Sequence, residues 1–244
     1  MELFNIAIRC SFCNGGQSAD KIGYGGICSD DVIKNNIEEE KRPICKNENS
    51  FCRQYYDGNI DRKSLDEIIN NNGFICYESR MLKDFKAFAG YMQSGANKGK
   101  PIAMNKLDKN ALCILTTCYP QTVEDMRCIF AAYLVDDSYN DSDRKSGHIT
   151  TNSKYRFSFS NNEAQRLLFW NYYANNTKPN LAKWCMGEYR YFDNITAAQI
   201  LKDIANIKKG TNDQKLAFEF FDYFCDIKGI NKNLIPELSG ALRR

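Results

Sequence analysis

The chain has 244 residues, of which 43% are hydrophobic, 26% charged and 13% aromatic, and its net charge is only +3. That is globular composition, and it excludes a long disordered, collagen-like or coiled-coil protein. No run of about 18 apolar residues occurs, so no membrane span is expected.

The first residues, MELFNIAIRCSF, lack the basic and apolar regions of a secretory signal. Eleven cysteines without an export signal point to a reducing compartment, and a cytoplasmic location is expected. Residues 1–60 are rich in cysteine and glycine and read as a zinc-binding module. Cys10-Ser-Phe-Cys13 offers two thiolates to one ion, and a tetrahedral site needs two more. The polar segment Cys45-Lys-Asn-Glu-Asn-Ser-Phe-Cys52 supplies them, with Cys28 as the alternative fourth ligand. An all-thiolate tetrahedral set suits a structural Zn2+. The other six cysteines, Cys76, Cys113, Cys118, Cys128, Cys185 and Cys225, mostly lie in apolar runs and are expected in the core.

Residues 61–110 read as a helical, basic connecting region. Ser64-Leu-Asp-Glu67 fits a capping box at a helix start. From Ser79 to about Met92, apolar residues at helical spacing predict a helix with Arg80, Lys83 and Lys86 as a basic stripe opposite. The window from Arg80 to Lys109, which includes Lys98 and Lys100, carries five net positive charges and leaves −2 elsewhere. A basic face on a near-neutral protein suits a polyanion.

Residues 111–244 read as an α+β domain ending in helices. Leu112–Thr117 and Cys128–Val135 are apolar runs of strand length, and Lys154–Ser160 alternates with Tyr155, Phe157 and Phe159 on one face. Ser160-Asn-Asn-Glu163 fits a second capping box, with the Phe169–Tyr173 aromatics at the end of that helix. Ile200, Leu201, Ile204 and Ile207 mark one C-terminal helix stopped by Gly210. Leu216, Phe220, Phe221 and Phe224 mark the last, ended by Gly229.

The only histidine, His148, sits in a polar stretch read as loop, which speaks against histidine-based metallohydrolases and zinc deaminases. Gly95-Ala-Asn-Lys-Gly99-Lys100 is one residue short of a phosphate loop and runs into Pro101. Asp136, Asp137, Asp141 and Asp143 cluster, but in a segment that reads as solvated turn. Between Tyr155 and Phe192 stand eleven aromatic residues, including both tryptophans. Trp170, Trp184, Tyr189 and Tyr191 form a candidate wall for a stacked base, with Arg190 or Arg127 to meet a phosphate or base edge.

At ALCILTTCYPQTVEDMRCIFAAYLVDDSYND (Ala111–Asp141) the chain resembles PUA-like domains of the EVE, YTH and ASCH kind. The resemblance is one of layout: a strand ending in Thr116-Thr117, a connection with Glu124 and Arg127, an apolar strand, an acidic turn, then an aromatic-rich segment. It covers residues 105–195 and implies a small mixed sheet or PUA-like barrel flanked by helices. It further implies a non-enzymatic nucleic-acid reader, DNA ahead of RNA, that takes a modified base into an aromatic pocket within a restriction or defence system, with a nuclease acting in trans. A metal-dependent nuclease or nucleotide-processing enzyme using Glu124, Asp136 or Asp137, and a protein-interaction module, are the competing expectations.

Overall fold

A computed structural model describes residues 4–15, 23–92, 94–184 and 187–244. It divides into two compact units. One runs from Ser11 to Lys86; the other joins the segment ending at Cys10 to Ala87–Arg244. Composition suggested divisions at about 60 and 110, and these do not coincide with the structural ones. Among the described residues no helix is long and apolar enough to cross a membrane.

The Ser11–Lys86 unit is helical: α1 (Asp30–Glu38), α2 (Pro43–Lys46), α3 (Phe51–Tyr56), α4 (Arg62–Asn70) and α5 (Met81–Asp84). Its core is small. Ile33, Ile37, Cys52, Leu65, Ile75 and Cys76 are buried together, with Cys28 and Cys45 packed against them. Helix α4 is capped by Asp61, whose carboxylate accepts the Ser64 N–H at 2.8 Å, so it begins before the expected Ser64 cap. The long helix expected from Ser79 to Met92 is absent. α5 has four residues and stops at Phe85, which takes a left-handed φ of 43°. Arg80, Lys83 and Lys86 therefore do not form a helical stripe, because the periodic pattern ran through a backbone break.

The second unit is built on an open five-stranded mixed sheet. Its strands are β1 (Asn5–Arg9), β3 (Leu112–Thr117), β4 (Cys128–Leu134), β6 (Arg156–Ser158) and β7 (Tyr189–Phe192), in the order β6-β4-β3-β1-β7. β1 runs parallel to β3, and the other pairings are antiparallel. The edge strands β6 and β7 do not pair, so the barrel alternative gives way to an open α+β sheet. A two-stranded ribbon of β2 (Ala87–Phe88) and β5 (His148–Ile149) lies apart from it, which puts His148 on a strand rather than in a loop. The helices are α6 (Asp141–Ser146), α7 (Asn161–Gln165), α8 (Asn194–Ile207) and α9 (Gln214–Lys228). The Ser160–Glu163 capping box is present at α7, while Phe169–Asn171 forms a separate 3-10 turn. Gly229 ends α9 in the left-handed conformation, where a glycine has no Cβ to strain.

β1 joins the N-terminal segment to the sheet through one buried polar side chain. The Asn5 amide donates to Asp193 O and Asn194 Oδ1, both at 3.1 Å, and its oxygen accepts the Leu112 N–H at 2.8 Å. Asn5 is fully buried, so alanine would leave the buried Leu112 N–H without its acceptor and remove both contacts to the end of β7. The cost expected for Asn5→Ala is about 2–4 kcal/mol, from unsatisfied buried groups at roughly 1–3 kcal/mol each. Urea unfolding of the variant checks it; a loss under 0.5 kcal/mol, the scale of a neutral surface change, would show that Asn5 does not tie the three strands.

Candidate functional site

The ends of β3 and β4 carry the most concentrated chemistry of the sheet unit. A 3-10 turn at Glu124–Met126 folds the chain back so that Arg127 N–H donates to Glu124 O. The guanidinium then meets the Glu124 carboxylate at two points, with Nη2 to Oε2 at 2.9 Å. Arg127 Nη1 also reaches Thr116 Oγ1 at 3.4 Å, and Thr116 donates that hydroxyl proton to Ile8 O. Glu124 has a second client in the Trp170 indole N–H, at 3.2 Å. Burial works against the charge on Arg127, but the hydrogen bonds it donates to Glu124 outweigh it and hold its pKa above the ordinary arginine value.

Trp184 packs against this pair. Its ring has Arg127 at 4.9 Å and Arg190 at 5.1 Å, with Phe169 at 5.2 Å and Trp170 at 6.3 Å between ring centres. Such guanidinium–indole contacts are favourable, the more so when dry. The Trp184 N–H donates to Gly187 O at 2.8 Å. Arg127, Trp170, Trp184 and Arg190, named from separated sequence segments, thus come together.

They do not form an open cage. Trp170 and Trp184 are 0% and 2% exposed, and their faces are occupied by the protein's own rings and guanidinium groups. Tyr189 and Tyr191 are also excluded from that cluster. β7 alternates faces, and these two rings touch each other at 5.2 Å on the side opposite Arg190. Tyr191 packs there against Phe4 and Met104. The expected single base pocket gives way to a filled stack with Arg190, half-buried, at its rim.

The basic residues fall in two places. Arg80 and Lys83 line a cleft of about 500 Å3 in the Ser11–Lys86 unit, together with Arg62, Asp66 and the backbone of Gly25 and Gly26. Arg80 is braced by Asp84 at 3.0 Å and by Asn72 O at 2.9 Å, and Lys83 donates to Asn72 Oδ1 at 3.2 Å. Arg62 is held by Asp30 and Asp66. Lys86 is half-buried and does not line the cleft. Lys98 and Lys100 are exposed on a loop of the sheet unit, closed by the Tyr91–Pro101 bridge and the Met92 N–H to Lys100 O bond.

The acidic cluster is consumed locally. Asp136 accepts the Ser138 and Asn152 N–H groups, Asp137 meets Lys109, Asp141 meets Arg144, and Asp143 completes the α6 capping box with Asn140. This arrangement gives the nuclease expectation no convergent carboxylates.

The cysteines expected to hold zinc are divided between the two units. Cys10 directly follows β1 in the sheet unit, where its thiol donates to Ile8 O, whereas Cys13 belongs to the other unit. The Cys13 thiol donates to Gly26 O at 3.6 Å, while Cys52 lies in the buried core of that unit with Cys28 and Cys45 packed against it. Among the described residues no three His, Cys, Asp or Glu side chains stand in a ready metal-holding arrangement. Cys113, Cys128 and Cys225 are buried as expected, Cys118 is half-buried beside Glu124, and Cys185 lies outside the described residues. Cys76 is also buried in the core as expected, and its sulfur accepts the Ser79 N–H at 3.3 Å.

No family model, curated protein or solved structure matches the chain.

Proposed function

We propose that this protein is a nucleic-acid-binding module that grips the phosphate backbone. The observation that carries this reading is the cleft of the Ser11–Lys86 unit, lined by Arg62, Arg80, Lys83 and one carboxylate, Asp66, beside a glycine turn, with Asp30 and Asp84 pairing Arg62 and Arg80 from outside that lining. Glycine backbone admits a phosphate closely, and the guanidinium groups offer paired donors to its oxygens. The braces on Arg80 and Lys83 hold both heads in place, which lowers the entropy lost on binding. Lys98 and Lys100 on their exposed loop, and Arg190 at the rim of the tryptophan stack, add cationic contacts in the sheet unit.

Phosphate contacts supply affinity that falls with salt and carry no sequence choice. Selection of a base, the finer expectation, has no open aromatic wall to rest on and would come from Arg190 and the residues around it. The protein is read as non-enzymatic.

Reversing charge at the cleft tests the proposal. Lys83→Glu and Arg80→Glu are each expected to weaken binding to labelled duplex or single-stranded DNA about 10-fold at low salt. Each should also reduce the slope of log K against log salt by about 1. Lys34→Glu, on an exposed residue that lines a different cleft, is the control. Equal affinity for parent and both cleft variants would remove the cleft from the interface.

A further inference from the structure

Residues 90–102 of the sheet unit form an arm. Gly90 O accepts the Ile102 N–H at 3.0 Å, Tyr91 bridges Pro101, the Met92 N–H donates to Lys100 O at 2.9 Å, and Met92 O accepts the Gly99 N–H at 2.9 Å. These bonds close an antiparallel hairpin, and its described residues from 91 to 101 are all exposed. Gly95 and Gly99 turn the tip at φ of 76° and 80°, where a side chain would be strained.

The root of the arm is fixed. The Ala89 N–H donates to Gly147 O at 2.8 Å, and the Met104 N–H to Arg144 O at 3.0 Å. A Cβ on Gly147 would stand 2.7 Å from Ile102 O, so the two backbones pass too closely for any side chain. An arm held this firmly at its base, yet buried so little along its length, adds almost nothing to the core.

Three rings lead from the root onto the arm. Phe88 and His148 oppose each other across the β2–β5 ribbon with ring centres 5.1 Å apart. The His148 Nδ1 lies 3.0 Å from Ser146 Oγ, which orients that ring. Tyr91 meets Phe88 edge to face at 4.9 Å, and it is the outermost of the three, 44% exposed. Charge along the arm has one sign. Between Asp84 and Asp108 the sequence carries no acidic residue, and Lys98 and Lys100 stand on the arm itself. Lys100 donates to Asn97 Oδ1 at 3.2 Å, a neutral partner that leaves the ammonium its charge. The side chain of Glu188 lies against Gly90 at the root, so an anion is drawn outward to the lysines.

We propose that this hairpin is a single-strand binding arm, on which one base of a single-stranded nucleic acid stacks on Tyr91 while the flanking phosphates meet Lys98 and Lys100. The proposal rests on the reading of the protein as a nucleic-acid-binding module and adds which form of nucleic acid it takes. An exposed ring accepts the face of any unstacked base, whereas in a duplex those faces are covered by neighbouring base pairs. Lysine–phosphate contacts alone hold either form. Tyr91 and Met92 offer too little apolar area to anchor the arm in a bilayer, so a strand is favoured over an anionic lipid surface.

Fluorescence anisotropy of the purified 244-residue chain tests this with a short labelled DNA single strand, the same sequence as a duplex, and a strand of equal length built from abasic sites. The parent should prefer the base-bearing single strand to both others. Tyr91→Ala should weaken that strand about 10-fold, the scale of one lost base stack, and leave the duplex and abasic strand unchanged. Tyr91→Phe, which keeps the ring, should bind as the parent does, and reversing both Lys98 and Lys100 to Glu should weaken all three ligands alike. Equal affinity of the parent for base-bearing and abasic strands overturns the proposal without any variant. It is also overturned if Tyr91→Ala binds the single strand as the parent does or weakens all three ligands equally, if the lysine reversals change nothing, or if the parent binds phosphatidylserine vesicles and no strand. Binding lost in Arg80→Glu and Lys83→Glu but kept in Tyr91→Ala leaves the cleft reading standing and removes the arm. A parent that binds none of the three ligands removes both.

Discussion

Glu124→Ala will destabilise the protein by about 3–5 kcal/mol, the scale of a buried charge stripped of its partner. The Arg127 side chain is only 4% exposed, and Glu124 is its ion-pair partner. The same carboxylate accepts the Trp170 indole N–H, so alanine also leaves a second buried donor unpaired. Because Arg127 and Trp170 both pack against Trp184, the loss should spread through the ring stack. Glu124→Gln keeps an acceptor for Trp170 but not the charge, and it should cost roughly half as much on the same reasoning. Urea unfolding followed by tryptophan fluorescence reads both. A loss below about 1 kcal/mol for alanine, the range of a surface ion pair, would mean that the pair adds nothing beyond a solvated contact.

The second large effect is expected at Lys208, which closes α8. Its ammonium is 6% exposed, 2.9 Å from Glu163 and 3.2 Å from Asp213, and it lies over the Phe157 and Phe159 rings. Lys208→Met leaves Glu163 in the half-dry site with only its capping contact to Ser160. The expected cost is about 2–3 kcal/mol, below the full buried-pair figure because Asp213 is half-exposed. A pH signature accompanies it. Burial acts to raise the Glu163 pKa, but hydrogen bonds from Lys208 and Ser160 outweigh it and hold the carboxyl below its ordinary value. A carboxyl depressed in the folded state contributes stability that is fully present above its unfolded pKa of about 4.3 and is lost as pH falls through the folded value. The parent should therefore lose stability below about pH 4, and Lys208→Met should lose less over that interval. Unfolding curves between pH 3 and 7 check it; parallel acid limbs for the two proteins would contradict the pairing.

What the sequence showed follows the range of the interactions involved. The Ser160–Glu163 capping box, α8 and α9 rest on neighbours three or four residues apart, and the strand runs at Leu112 and Cys128 are apolar enough to declare themselves. β1 and β7 were hidden because their pairing joins residues 5–8 to 189–192, and a local pattern does not carry such a register. Tyr189-Arg190-Tyr191 looked like one aromatic set, yet strand alternation sends its members to opposite faces. Cys10 and Cys13 fall one in each compact unit, a division that their local spacing does not announce. The Arg80–Lys86 stripe failed at Phe85, whose left-handed backbone no helical periodicity announces. Arg127, Trp170, Trp184 and Arg190 were legible as a group by chemistry alone; their burial was not, since ring-rich segments serve a core and a pocket equally well.

The central claim is tested most directly by fluorescence anisotropy of the purified chain with labelled duplex and single-stranded DNA and RNA, plain and base-modified, at two salt concentrations. The account predicts binding that weakens steeply with salt and depends on Arg80 and Lys83. Absence of binding to every one of these ligands at low salt would contradict it.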